Sequence, residues 1–241
     1  MATLGQVSRR LRGAAAHAID HALDLTLPVL CAGCGREGDA LCHECVPALD
    51  LRALLPPGIP IGLPGEIPSP LVQIEWCTGF SGVTRRALHQ LKYAGDRRIA
   101  TPLGRAVARR WAHAGVGGDL LVPVPASPDR VRDRGYDQAS LIAFAAGAEL
   151  NLPVRDDLLE RGRHTTAQFD LDRASRAQNV RGAFRLRADA RLPRGSGPDG
   201  APWIVLVDDV LTTGSTLAGC ATALLSAGAF AVSAVTVARE R

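Results

Sequence analysis

Lysine is almost missing from this chain: Lys92 is the single one in 241 residues. Loops of the Gly-x-x-x-x-Gly-Lys-Ser/Thr kind use a lysine to reach the outer phosphates of a nucleotide. Lys92 stands in Gln-Leu-Lys-Tyr instead, so a P-loop nucleotidase is excluded, although the chain has an apolar strand ending in Asp-Asp. Long apolar runs are missing too. No stretch approaches the roughly 20 residues a membrane-crossing helix needs, and no span is expected. Arg9, Arg10 and Arg12 precede Ala14-Ala15-Ala16 as in a secretory leader, but His17, Asp20, His21 and Asp24 interrupt any apolar region. No signal peptide is expected, and the location this implies is cytoplasmic. Nor is there a large excess of one charge. The formal net charge is +4 and nearly every base is arginine, which by itself supports no more than nonspecific contact with nucleic acid.

What the chain does have is concentrated in one stretch, Trp203 to Leu217. Ile204-Val205-Leu206-Val207 is apolar without alternation, as in a strand covered on both faces. Asp208 and Asp209 follow and are expected to end it, then Thr212-Thr213-Gly214-Ser215-Thr216, then helical spacing from Leu217 to Leu225. A small-residue loop entering a helix N-terminus gathers backbone N–H groups and hydroxyls where the helix dipole favours an anion. Two carboxylates beside that cradle would repel a bare phosphate, so they must meet sugar hydroxyls, a metal ion or both. A phosphorylated ribose satisfies these demands. From Ile204 to Thr216 the run resembles the phosphoribosyl-diphosphate (PRPP) signature of type I phosphoribosyltransferases.

The remaining chain divides by composition. Residues 1–27 carry Val7, Leu11, Ala14, Ala18, Ala22 and Leu25 at helical spacing, an amphipathic helix. Residues 28–55 hold Cys31-Ala32-Gly33-Cys34 and, seven residues on, Cys42-His43-Glu44-Cys45. Two CxxC knuckles can bring four thiolates to a tetrahedral point, the geometry of a closed structural Zn²⁺ site. Disulfides are the alternative, disfavoured in a reducing compartment, and His43 is a possible substitute ligand. Cys77 and Cys220 stand alone in apolar surroundings and read as buried and inert. Residues 56–70 are rich in Pro and Gly, a linker, and residues 71–241 form the larger unit.

That unit opens on Val72 to Trp76, an alternating strand pattern, followed by helices through Leu91 and from about Ile99 to His113. Leu120-Leu121-Val122-Pro123-Val124-Pro125 reads as a strand that must end or lie at an edge, since each proline deletes a ladder donor. Arg130, Arg132 and Arg134 come next, with Asp137 placed to cap a helix. The arginines suit pyrophosphate oxygens or are simply a solvated basic loop. Arg161 to Leu171 is polar and could close over a bound diphosphate, followed by a helix with Arg173, Arg176, Gln178 and Asn179. Strands alternating with helices imply a parallel α/β sheet with its ligand at the carboxyl ends of the strands.

In their order, Leu-Lys-Tyr-x-Gly-Asp, Val-Pro-Val-Pro with Arg-Gly-Tyr-Asp-Gln-Ala, Arg-x-Arg-x-Thr-x-x-Gln and the Asp-Asp loop resemble the ComF/GntX family over about residues 23 to 238. The departure is Asp137, where that family usually has Asn. The resemblance implies a type I phosphoribosyltransferase fold, a twisted parallel sheet flanked by helices, with a small N-terminal zinc-knuckle module. It further implies PRPP with Mg²⁺ as ligand, a mobile catalytic loop around Arg163, and a link to DNA uptake in competence or to nucleotide salvage. Carried onto this chain, the PRPP-binding positions are Val207, Asp208, Asp209, Leu211, Thr212, Thr213, Gly214, Ser215, Thr216, Arg130, Arg134 and Lys92. Asp208, Asp209 and Arg163 are the catalytic candidates. The residues leave open a second reading, a non-catalytic PRPP or nucleotide binder whose zinc module docks single-stranded DNA or a competence-machinery protein.

Overall fold

The computed structural model describes residues 28–57, 68–162 and 182–240. The expected N-terminal helix, most of the Pro/Gly linker, Arg163 and the Arg173 to Asn179 helix lie outside the described residues. In chain order the elements are β1 (Ile74–Gly79), α1 (Gly82–His89), α2 (Ala100–Ala114), β2 (Leu120–Pro123), α3 (Pro128–Arg134), α4 (Gln138–Leu150), β3 (Leu159–Arg161), β4 (Phe184–Leu186), β5 (Trp203–Leu211), α5 (Ser215–Ser226) and β6 (Ala231–Arg239). The main sheet is parallel throughout, in the order β1-β6-β5-β2, and β3 pairs antiparallel with β4 beside it. Among the described residues no helix is long and apolar enough to cross a membrane.

Alternation along β5 accounts for its unbroken apolar run. Val205 and Val207, with Val235 and Val237 of β6, pack against Leu103 and Val107 of α2 and Ile142 and Ala146 of α4. Ile204 and Leu206 turn the other way, onto Leu217, Cys220 and Leu224 of α5 and onto Leu159 and Phe184. A strand roofed by helices on both sides has no solvent face, so both sets of its residues are apolar. Asp119 anchors its start, with Oδ2 accepting from Trp203 N at 2.7 Å and Ser196 N at 3.0 Å.

The alternating pattern read at Val72 to Trp76 does not mean one wet face. Glu75 is fully buried, and so is Arg110 of α2, whose Nη2 stands 2.5 Å from Glu75 Oε2. Burial of the carboxylate is offset by partners on every side. Gln73 Nε2 donates to Glu75 Oε1 at 3.0 Å, and Arg110 Nη1 donates to the carbonyls of Arg52 at 2.6 Å and Leu55 at 2.5 Å. Arg52 in turn lies 4.0 Å over the Trp76 ring. This network ties the segment after the cysteine knuckles to the sheet. The knuckles themselves share the α2 side of the core, since Cys31, Cys42, Cys45 and Leu49 pack with Leu88, Leu91 and Trp111. Arg86 of α1 donates twice to the Gly33 carbonyl, at 3.0 and 2.6 Å.

Candidate functional site

Asp208 and Asp209 lie inside β5, not at its end, and here the sequence reading needs correction. On the β6 edge the pairing runs on through Asp208↔Thr236, Val210↔Ala238 and Leu211↔Arg239. On the β2 edge it stops at Pro123↔Val207, with one further bond from Val124 N to Val207 O at 2.9 Å. Pro123 and Pro125 lack the donors to continue, so the acids sit in a strand with a single open edge.

Although side chains alternate along a strand, the two carboxyls remain close enough to interact directly. Asp209, 6% exposed, forms an ion pair with Lys92 Nζ. Asp208 is partly exposed, and its Oδ1 accepts from Asp209 N at 2.8 Å. Desolvation by the surrounding protein holds the Asp208 carboxyl well above the usual carboxylate range, and the Asp209 charge adds to this while Lys92 works against it. The two groups are therefore close enough to feel one another. Cys220 of α5 is fully buried, and burial, then the Asp208 charge, pushes its thiol up, so it carries no reactive thiolate.

The sign for stability follows from protons bound. A carboxyl with a raised folded value binds more protons folded than unfolded, so ligand-free stability falls as pH rises above the ordinary Asp value of about 3.9. Asp208→Asn removes that cost. The variant is expected to melt several degrees higher than wild type at neutral pH, the gain shrinking toward zero near pH 4. Thermal melts of the ligand-free protein across that range check it; equal shifts at both ends would exclude a buried charge at this position.

Beyond β5, Thr212 and Thr213 are exposed and Gly214 takes φ +78°. A side chain there would bring a Cβ to 2.8 Å from Pro68 Cγ, so the turn is restricted to glycine by both backbone and neighbour. Thr213 Oγ1 and Ser215 Oγ stand 3.0 Å apart, Ser215 N donates to Thr213 Oγ1 at 3.4 Å, and Gly214 at the start of α5 offers no side-chain cap to the amides that follow. Val207 and Leu211 are buried and frame the turn from below, while Ser215 and Thr216 are partly exposed.

Lys92 reaches Asp209 from a single π-helical turn, Gln90–Ala94, at the end of α1. Its neighbour Leu91 is fully buried and its carbonyl accepts from the Tyr136 hydroxyl. A wider turn of this kind changes which face each side chain takes, and such turns recur at functional sites. The pairing of Lys92 with Asp209 was invisible in the sequence; the only trace was the Leu-Lys-Tyr-x-Gly-Asp motif.

Asp137 caps α4 as expected, through Ala139 N to Oδ1 at 2.9 Å, and also holds the loop after β2 through Ala126 N to Oδ2 at 2.7 Å. Burial raises its carboxyl despite these donors, and Asp209 adds to the rise. Arg134 donates to Gln138 Oε1 at 2.9 Å, whereas Arg130 is exposed and has no ion-pair partner among the described residues. Arg161, at the end of β3, lies 5.4 Å over Phe184 with its Nε buried and unpartnered.

At the other end of the chain the sulfurs of Cys31, Cys34, Cys42 and Cys45 all lie within 4.8 Å of one another. Cys34 and Cys42 are 3.7 Å apart, close to the ~3.8 Å edge of a tetrahedron built on Zn–S bonds of about 2.3 Å. Gly33 N and Cys42 N each point at Cys31 Sγ from 3.3 Å. Burial would raise the Cys31 thiol, but these amides outweigh it and bring it down to about 6. Burial and the neighbouring thiols push Cys45 up to about 12. One preformed thiolate among crowded thiols is a donor set that a soft-tolerant divalent cation completes. His43 is exposed and outside the cluster, and none of the described cysteines is disulfide-bonded. Cys45→Ser is expected to remove stoichiometric zinc and to loosen the knuckles from α1. Metal analysis after gel filtration reads this directly; full zinc retention would show that the cluster is not the site.

The parallel sheet with helices on both faces, and the cysteine cluster seated on one of them, define an α/β protein with a built-on knuckle module. No family model matches the chain. Similar proteins include DNA utilization protein YhgH of Escherichia coli strain K12, 30% identical over 209 residues that make up 84% of this chain and 86% of the relative. Competence protein F of Haemophilus influenzae is 33% identical over 142 residues, 57% of this chain and 58% of that one. The chain belongs to this YhgH/ComF family. Among solved structures, glutamine PRPP amidotransferase from B. subtilis, complexed with ADP and GMP, aligns with TM-score 0.41 and 19% identity over 63% of this chain and 30% of that one. Adenine phosphoribosyltransferase from Leishmania tarentolae aligns with TM-score 0.30 and 17% identity over 58% of this chain and 55% of that one.

Proposed function

We propose that this protein binds PRPP with Mg²⁺ and transfers its phosphoribosyl group to an acceptor with release of pyrophosphate. The observation that carries this is the proximity, over the last residues of β5, of two interacting carboxyls, a hydroxyl-bearing turn and the start of α5. In this reading the amides and hydroxyls of Thr212 to Thr216 hold the 5′-phosphate. Asp208 and Asp209 hold the ribose hydroxyls or the cation, and Lys92 leaves Asp209 for the diphosphate. Hard carboxylate oxygens at an open edge suit magnesium, which would neutralise the departing pyrophosphate. Arg130 and Arg134, with Arg163 from outside the described residues, supply positive charge to the same leaving group. Breaking the C1–O bond builds oxocarbenium-like charge on the ribose, which the carboxylates favour.

The names of the relatives, DNA utilization and competence, favour a role in handling DNA, with single-stranded DNA or a component of the uptake machinery as partner and the cytoplasm as its place. The test is incubation with Mg²⁺, PRPP and a panel of bases while pyrophosphate is measured. Release that depends on one acceptor supports transfer. Tight PRPP binding without release leaves a sensor, and absence of PRPP binding overturns the proposal.

A further inference from the structure

Two tyrosines are present in the chain and they are used in opposite ways. Tyr136 is 9% exposed and tied by its hydroxyl to Leu91, whereas Tyr93, two residues further on in the same π turn, is 68% exposed. An aromatic ring of this size normally contributes to a core or an interface. Its neighbours are basic. His89, one turn back, places its ring centroid 4.7 Å from that of Tyr93 at a tilt of 46°, and the Arg134 guanidinium lies 5.3 Å over the Tyr93 ring. Arg97 lies 4.8 Å over Tyr136, next to the Gly135 bend that follows Arg134.

Arg85, His89 and Tyr93 are spaced four apart, so they form one stripe along the exposed side of α1 and its continuation. Arg85, Arg97 and Arg130 are exposed and have no carboxylate partner among the described residues. The backbone beside the ring is anchored: Leu91 is buried in the core, Lys92 is drawn to Asp209, and Gly95 closes the turn at φ +77°. An exposed aromatic face bordered by arginine offers stacking and phosphate contact together.

We propose that Tyr93, flanked by His89 and Arg134, is a stacking platform for a base of single-stranded nucleic acid whose phosphates meet the exposed Arg85 and Arg97. This gives the nucleic-acid part of the preceding reading a location and does not rest on PRPP binding. A small free ligand is the poorer fit, because such ligands are held in concave sites that bury most of their surface. Tyr93 stands open, and an open ring gains affinity only from an occupant that continues past it, each further phosphate meeting another guanidinium. Duplex bases are stacked on one another and cannot lie on the ring.

The experiment is fluorescence anisotropy of full-length protein with a labelled oligothymidylate at low and moderate salt, alongside PRPP binding by calorimetry. Tyr93→Ala is expected to weaken oligonucleotide binding about tenfold or more, and Tyr93→Trp to preserve it. PRPP affinity should change far less than oligonucleotide affinity in both, so that failure here is distinct from failure of the PRPP reading. Oligonucleotide affinity unchanged in Tyr93→Ala, equal binding of duplex and single strand, or displacement by free thymidylate as readily as by the oligomer would each overturn the proposal.

Discussion

Arg110→Ala is expected to lower the unfolding free energy by about 3–5 kcal/mol, the usual cost of leaving one member of a buried ion pair alone. Against a total stability on the order of 5–15 kcal/mol this is close to unfolding the protein. The guanidinium is fully buried and serves Glu75, which is also fully buried, and the carbonyls of Arg52, Leu55 and Pro56. Its removal leaves Glu75 with only Gln73 and the Arg52 guanidinium at 3.7 Å, strands at least two carbonyls, and loosens the chain between the cysteine knuckles and β1. Glu75→Gln with Arg110→Met removes both charges and should recover much of the loss, because the penalty lies in the unpaired partner more than in the pair. Urea denaturation of the two variants measures both. A single variant within about 1 kcal/mol of wild type would mean that water reaches this network.

The second large effect concerns the acids of β5. Loss of one preorganised electrostatic contact to a developing charge typically raises a barrier by ~3 kcal/mol, about a hundredfold in rate. Asp208→Asn with Asp209→Asn should therefore take PRPP-dependent pyrophosphate release below detection. A thermal melt separates loss of the site from unfolding, since neutralising Asp208 is expected to stabilise the ligand-free protein while neutralising Asp209 removes the Lys92 ion pair. Asp209→Asn alone also frees the Lys92 ammonium for the diphosphate, so its effect should stay at or below the hundredfold of a simple contact loss. Wild-type turnover or PRPP affinity in the double variant would refute the assignment of the site.

Much of this architecture was legible in advance. The apolar run at Ile204 to Val207 implied a strand covered on both faces, and the faces are filled by α2 and α4 on one side and α5 on the other. The two CxxC pairs implied a convergent sulfur cluster, and the sulfurs converge. Pro123 and Pro125 implied a strand that stops, and β2 stops at Pro123. The error came where one strand edge ends and the other does not, at Asp208 and Asp209, and the alternating pattern at Val72 to Trp76 gave no sign of what meets its polar residues. Gln73 and Glu75 are buried against partners from α2 and the turn that follows it.

The sequence by itself determined the strands of the main sheet, the helices α1, α2, α4 and α5, where the thiols gather and which stretch can cradle an anion. These follow from periodicity, from glycine and proline, and from residue chemistry within a few positions. It read the α3 arginines as a loop and did not foresee β3 and β4. Only the tertiary structure decided that Lys92 meets Asp209, that Arg110 closes on Glu75, and that Tyr93 faces outward while Tyr136 is buried with its hydroxyl on the Leu91 carbonyl. Those pairings join residues distant in the chain. Their partners are selected by how helices settle on a twisted sheet and by the cost of burying any charge that finds no counterpart.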